Sequence, residues 1–186
     1  YVITTICILF LLWLFAIKRN IRYLTIMIVL VSFYAGARVN PLSKGVDSIY
    51  KSNVVNKIES MAKKDNGLWV VVGGFVYNNI PIMAGAPTVN SVCVYPTLER
   101  WYLLDKNKEH KNIYNRYAHI PVKVGDKTEF KLLGPDIFEL SLTIYDLKRL
   151  GIKHIFSAHN LSAYSTPDIK LDLAFKDNNL YIYDVH

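Results

Sequence analysis

Hydrophobic and polar positions divide this chain into two unlike parts. From Val2 to Ile17 no charged residue occurs, and a second charge-free run extends from Tyr23 to Ala37. Only "KRNIR", residues 18–22, separates them. Runs of this kind predict two helices in a hairpin. A membrane-spanning helix needs roughly 20 apolar residues, with about 17 as the lower limit. The pattern therefore predicts a transmembrane hairpin over residues 1–38, against the alternative of a buried helical hairpin of a soluble protein. The basic loop of Lys18, Arg19 and Arg22 favours the cytoplasmic side. Everything after Arg38 is then expected outside, as an extracytoplasmic domain spanning 39–186. A chain that opens with Tyr1 inside a hydrophobic run also reads as a piece of a longer protein.

Beyond Arg38 the periods change. Pro41 and Gly45 in "VNPLSKG" break the second helix. Val46, Tyr50, Val54, Ile58 and Met61 recur at helical spacing, which predicts a helix from Val46 to about Lys64, with Gly67 in its C-cap region. "LWVVVGG" is short, continuous and β-branched, the pattern of a buried parallel strand. The stretch from Phe75 to Pro96 is irregular, with a short strand expected near Val92–Tyr95. "TLERWYLLD" reads as a short helix capped by Thr97, "KNKEHK" as a solvated charge run, and "NIYNRYAHI" as a helical turn entering a short strand. "EFKLL" and "IFELSLT" are strands parted by Gly134 and Pro135. "TIYDLKRLG" is a helix with Gly151 past its end, and "IKHIFS" is a strand. "LDLAFKDNNLYIYDV" is a hairpin around Asp177, Asn178 and Asn179. The fold class expected is α/β or α+β: a small mixed sheet with flanking helices, preceded by the helical hairpin.

Composition supports this division. Hydrophobic residues make up 52% of the chain, above the ~45–50% of soluble domains. The first 38 residues hold four basic side chains and no acidic one, which leaves 18 basic against 15 acidic for the remainder. More than half of the formal +7 thus flanks the hydrophobic runs, and no Lys/Arg cluster marks a nucleic-acid surface. Cys7 lies in the first run and Cys93 far from it in the domain. They are not a pair, and Cys93 between two valines reads as buried filler.

Chemistry-bearing patterns are few. The five histidines show no metal-ligand spacing, and no CxxC occurs. Gly73 and Gly74 follow a strand, but neither phosphate-loop pattern is present, and no nucleophile elbow exists. No cofactor is expected. What stands out is aromatic and amide density between residues 69 and 119: Trp69, Tyr77, Asn78, Asn79, Tyr95, Trp101, Tyr102, Tyr114, Asn115, Arg116, Tyr117 and His119. Such residues bind sugars through ring faces and planar amides, or form a half-buried core with polar tips. From this set Trp101, Tyr102, Tyr114, Asn115, Arg116 and His119 are the candidate ligand-binding residues, expected to line one groove. Arg116 is expected either to pair with Asp105 or Glu99, or to present its fork to a phosphate.

Several segments in order, "VNPLSKG", "LWVVVGG", "AGAPTVNSV", "YPTLERWYLLD", "YNRYAHI", "RLGIKHIFSAHNL" and "LYIYDV", carry a resemblance. Over residues 23–186 the chain resembles the C-terminal extracytoplasmic domain of multi-spanning bacterial membrane proteins, the C-type glycosyltransferase-like family that includes the YfhO-like proteins. The resemblance implies a parent that transfers a sugar from a polyprenyl-phosphate carrier to a cell-envelope glycan. It implies that the catalytic acidic residue lies in an early outer loop, so that no catalytic residue falls in this chain. Partners implied are membrane lipid, the polyprenyl-phosphate sugar and the glycan. The rival readings are a non-enzymatic membrane-anchored assembly or sensor module, and the lid domain of a lipid-linked glycan transporter.

Overall fold

The computed structural model describes residues 2–38, 51–92, 94–116 and 118–186. The expected break at "VNPLSKG", the first turn of the helix predicted from Val46, and Cys93 lie outside them. The chain divides into two compact units, Tyr1–Val46 and Asp47–His186.

The first unit is a helical hairpin, α1 (Val2–Lys18) and α2 (Ile21–Arg38), packed against each other. Arg19 turns the chain with φ 46°, and the Asn20 side chain accepts the Arg22 N–H at 3.0 Å to open α2. Both helices are apolar around most of their circumference. Leu9, Phe10, Trp13, Ile28 and Phe33 each keep more than half of their surface uncovered. Among the described residues, however, no helix is long and apolar enough to cross a membrane. The 17 residues of α1 and 18 of α2 reach about 26–27 Å at about 1.5 Å per residue, short of a hydrocarbon core of about 30 Å. The hairpin is present, but its spanning of a bilayer is unsupported by these lengths.

The second unit is a mixed α/β domain. In chain order it contains α3 (Asn53–Ala62), β1 (Leu68–Val72), a 3-10 turn (Phe75–Tyr77), α4 (Ile80–Met83), α5 (Leu98–Tyr102), α6 (Lys111–Tyr114), β2 (Val122–Val124), β3 (Glu129–Gly134), β4 (Ile137–Leu142), α7 (Ile144–Arg149), β5 (Ile152–Ser157), a 3-10 turn (Ser162–Tyr164), β6 (Leu171–Asp177) and β7 (Leu180–Val185). The seven strands form one sheet in the order β3-β4-β2-β1-β5-β7-β6. β4, β2, β1 and β5 run parallel at its centre. An antiparallel hairpin closes each side, β3 on β4 and β6 on β7.

Successive strand residues face opposite sides, and β1 shows the result. Trp69 and Val71 pack with Val54, Ile58, Met61, Phe156 and Ile182 beneath α3. Val70 and Val72 pack with Trp101, Tyr114, Phe138, Leu140, Leu147 and Ile155 beneath α5, α6 and α7. A strand covered on both faces must be apolar throughout, which is why "LWVVV" lacks alternation.

β1 touches β2 only at Val72↔Val122. Before that point residues 87–89 run beside it: Trp69 N–H donates to Pro87 O and Val89 N–H to Trp69 O, both at 2.8 Å. Between these two neighbours the carboxamide of Asn90, fully buried, takes the place of a strand residue. Its Oδ1 accepts Val71 N–H at 2.9 Å, and its Nδ2 donates to Val71 O at 2.8 Å and Ile120 O at 3.1 Å.

Several local expectations hold and others give way. α7 carries a capping box of Thr143 and Asp146, and Gly151 follows it with φ 69°. The β6–β7 turn is at Asn178, φ 52°. Gly67 does not cap α3, which ends at Ala62 with Lys63 as its cap. Instead, a Cβ at Gly67 would stand 2.7 Å from Asp65 Oδ1 and 2.8 Å from His154 Nε2, so the residue is glycine for close approach. Val92, Val94 and Tyr95 form no strand, and Val94 and Tyr95 are exposed. The edge beside β1 is already taken by residues 87–89. Thr97 precedes α5 without a side-chain cap.

Candidate functional site

The segment "NIYNRYAHI" is held mainly from within. Asp105, buried at the end of α5, accepts His110 N–H at 2.8 Å, Glu109 N–H at 3.1 Å and the Tyr114 hydroxyl at 3.1 Å. Burial opposes its charge. The N–H of His110, the Tyr114 hydroxyl and the N–H of Glu109 outweigh burial, so the carboxyl titrates below its ordinary range. Burial, and then the bond to Asp105, push the Tyr114 hydroxyl up to about 12. "KNKEHK" is thus a solvated loop wound around a buried carboxylate.

Of the six residues expected to line a groove, Trp101 and Tyr114 are core, 1% and 0% exposed. Trp101 meets Phe130 and Phe138 edge-on, and Tyr114 lies 5.1 Å from Phe130. Tyr102 is half-buried, edge-on to Tyr114, with the Lys108 ammonium 4.5 Å above its ring. Asn115 is exposed at the end of α6. Arg116 pairs with neither Asp105 nor Glu99. Its guanidinium donates to Gly134 O (3.4 Å), Pro135 O (3.1 Å) and Asn112 O (2.5 Å), tying α6 to the β3–β4 turn. The Gly134 and Pro135 carbonyls lie where the β3–β4 hairpin turns and the Asn112 carbonyl in α6, and a planar fork of N–H donors reaches all three. His119 is drawn into the sheet by its backbone, donating to Asp136 O at 2.8 Å.

His119 reaches a cavity. This cavity, about 360 Å³, is lined by Phe75, Asn78, Asn79, Val92, His119, Asp136 and Ile137. Gly73, with φ 139° and its Cα against Ala158, lets the chain leave β1 sharply and places Phe75 and the two asparagines on this wall. Phe75 stands edge-on to His119 at 6.0 Å and is 48% exposed. Asn79 Oδ1 accepts Val92 N–H at 3.5 Å. Asn78 is only 3% exposed, yet its Oδ1 has no hydrogen-bond partner among the described residues. Buried polar atoms without partners are rare and call for a cause. The amides of Asn78 and Asn79 stood in the aromatic-amide stretch of the sequence. Phe75 and Asp136 carried no signal, because the sheet alone brings them to His119.

A second cluster lies elsewhere in the domain. His154, 5% exposed, is held between Asp184, at 2.7 Å from Nδ1, and Asp65, at 3.0 Å from Nε2. The Trp69 ring covers it at 4.6 Å. The His154 bond, then the Gly67 N–H, hold the Asp65 carboxyl below its usual range against the effect of burial. The cluster joins the residues after α3 to β5 and β7. A cavity of about 350 Å³ beside it is rimmed by Lys57, Lys64, Lys153 and His186. Among the described residues no group of histidine, cysteine and carboxylate side chains is arranged to hold a metal ion.

A family of domains described as a domain of unknown function, DUF7654, matches residues 48–186. The chain belongs to the DUF7654 family. The matched span coincides with the mixed-sheet unit and starts after the helical hairpin. None of the curated proteins and none of the solved structures compared matches the chain significantly. The DUF7654 domain therefore has to be read from its own geometry.

Proposed function

We propose that the DUF7654 domain is the outer, ligand-binding module of a membrane protein resembling the C-type glycosyltransferase-like family. In this reading it orients the acceptor glycan or the lipid carrier, while the chemistry is done by an acidic residue elsewhere in the parent. The observation that carries the reading is the cavity at Phe75, lined by a half-exposed aromatic ring and by the buried Asn78, whose amide oxygen has no hydrogen-bond partner among the described residues. Concave sites of about 300–1,000 Å³ that pair an apolar wall with a few fixed polar groups are the usual form of small-ligand sites.

The membrane side of the proposal is supported by the hairpin. The uncovered apolar side chains of Leu9, Phe10, Trp13, Ile28 and Phe33 are of the kind that a lipid surface covers. Lipid is the solvent in which such surface is at rest. Lys18, Arg19 and Arg22 at the hairpin loop then meet the headgroups on the cytoplasmic face, which puts the domain on the outer face.

The test is genetic and chemical. Cells producing the protein without residues 47–186 are compared with parental cells for the sugar composition of the envelope glycans. Loss of one decoration is expected, and an unchanged composition overturns the proposal. Reporter fusions at Asn20 and His186 are expected to report opposite compartments.

A further inference from the structure

Resting on that reading, the cavity at Phe75 can be given a ligand class: we infer that it takes one uncharged, hydroxyl-bearing sugar ring of the acceptor glycan, and not the phosphate of the carrier. The inference starts from the sign of the polar groups. Asn78 Oδ1 is an acceptor, buried and unpaired. Asp136 adds a carboxylate at the exposed rim, and an ionised carboxylate only accepts hydrogen bonds. Among the described residues no lysine or arginine lines the cavity. A phosphate, itself all acceptor and negatively charged, would meet an unpaired acceptor and a like charge with no lysine or arginine beside either. Hydroxyl groups are donors and suit both.

The apolar groups select the shape. Phe75, Val92 and Ile137 are the apolar part of the lining, and Phe75 retains 48% of its surface for contact. A pyranose has such an arrangement, a C–H face with hydroxyls at its edge. A volume of about 360 Å³ stands near the lower end of small-ligand sites, which fits one ring and leaves the rest of a glycan outside. Arg116, the side chain best suited to phosphate, is spent on the carbonyls of Gly134, Pro135 and Asn112.

The experiment uses the whole chain in detergent. Saturation-transfer NMR is run with a set of methyl hexopyranosides and methyl N-acetylhexosaminides at millimolar concentration, with glycerol phosphate and inorganic phosphate as competitors. Transfer to at least one glycoside is expected. Phe75→Ala and Asn78→Ala are expected to weaken it at least tenfold, and Lys153→Ala, at the other cavity, to leave it unchanged. Phe75 is half-exposed, so its variant stays informative if Asn78→Ala fails to fold. Displacement of the sugar by either phosphate overturns the inference. So does sugar binding indifferent to Phe75→Ala, which would place the ligand elsewhere while leaving the outer-module reading intact. If no glycoside binds but deletion of residues 47–186 still alters the envelope, the ring-binding inference alone falls. If neither occurs, both fall.

Discussion

Asn90 is where one substitution should cost this domain most for its size. Its carboxamide stands in for a strand residue between β1 and the chain entering β2, bonding Val71 N–H, Val71 O and Ile120 O in a fully buried position. Asn90→Ala orphans all three groups. Each buried backbone group left unpaired costs about 1–3 kcal/mol, so three cost on the order of 3–6 kcal/mol once some relaxation is allowed. A domain of this kind is stable by about 5–15 kcal/mol, so the variant should be close to unfolding. At roughly 3 °C per kcal/mol, the melting temperature should drop by about 10–18 °C. Asn90→Asp keeps the acceptor for Val71 N–H but turns a negative oxygen toward two carbonyls, and should not fold. The assay is guanidinium unfolding of the chain in detergent, followed by fluorescence of the buried Trp69 and Trp101 in a Trp13→Phe background. Asn107→Ala, at an exposed position, serves as control. A loss below about 1 kcal/mol for Asn90→Ala would mean that water or a backbone shift replaces the amide, and the surrogate-strand argument would be refuted.

Two further outcomes follow from the geometry. Arg116→Lys keeps the charge but cannot reach the carbonyls of Gly134, Pro135 and Asn112 together; about 1–2 kcal/mol of stability and several degrees of melting temperature should be lost, and an unchanged melt would remove the clamp assigned to it. Asp65 has its pKa lowered from 3.8, first by the His154 bond. Its contribution is therefore present above pH 3.8 and is lost as pH falls through the lower folded value. The stability gap between parent and Asp65→Asn should close as pH falls below 3.8, and a gap that widens in acid contradicts the His154 bond as its source.

The sequence by itself determined the elements. "LWVVV" read as a strand because a strand buried on both faces needs an unbroken apolar, β-branched run, and "IFELSL" and "IKHIFS" read as strands as short runs bounded by turn and helix-end residues. Gly151 and the Asn178 turn announced their boundaries because helix ends and turns are satisfied within a few residues. The division after the hairpin was legible in the change from charge-free runs to mixed periods. What touches what was decided only by the tertiary structure. The pairing of His154 with Asp65 and Asp184 spans 89 and 30 residues. Asn90 bonds Val71 across 19 and Ile120 across 30. No period or spacing encodes such distances, since strand order is set by how two apolar faces are covered at once. The same holds for the aromatics: burial of Trp101 and Tyr114 and exposure of Phe75 are not properties of the side chains. They follow from Val70 and Val72 facing α5, α6 and α7, and from Gly73 turning the chain at the end of β1, which leaves Phe75, Asn78 and His119 around one cavity.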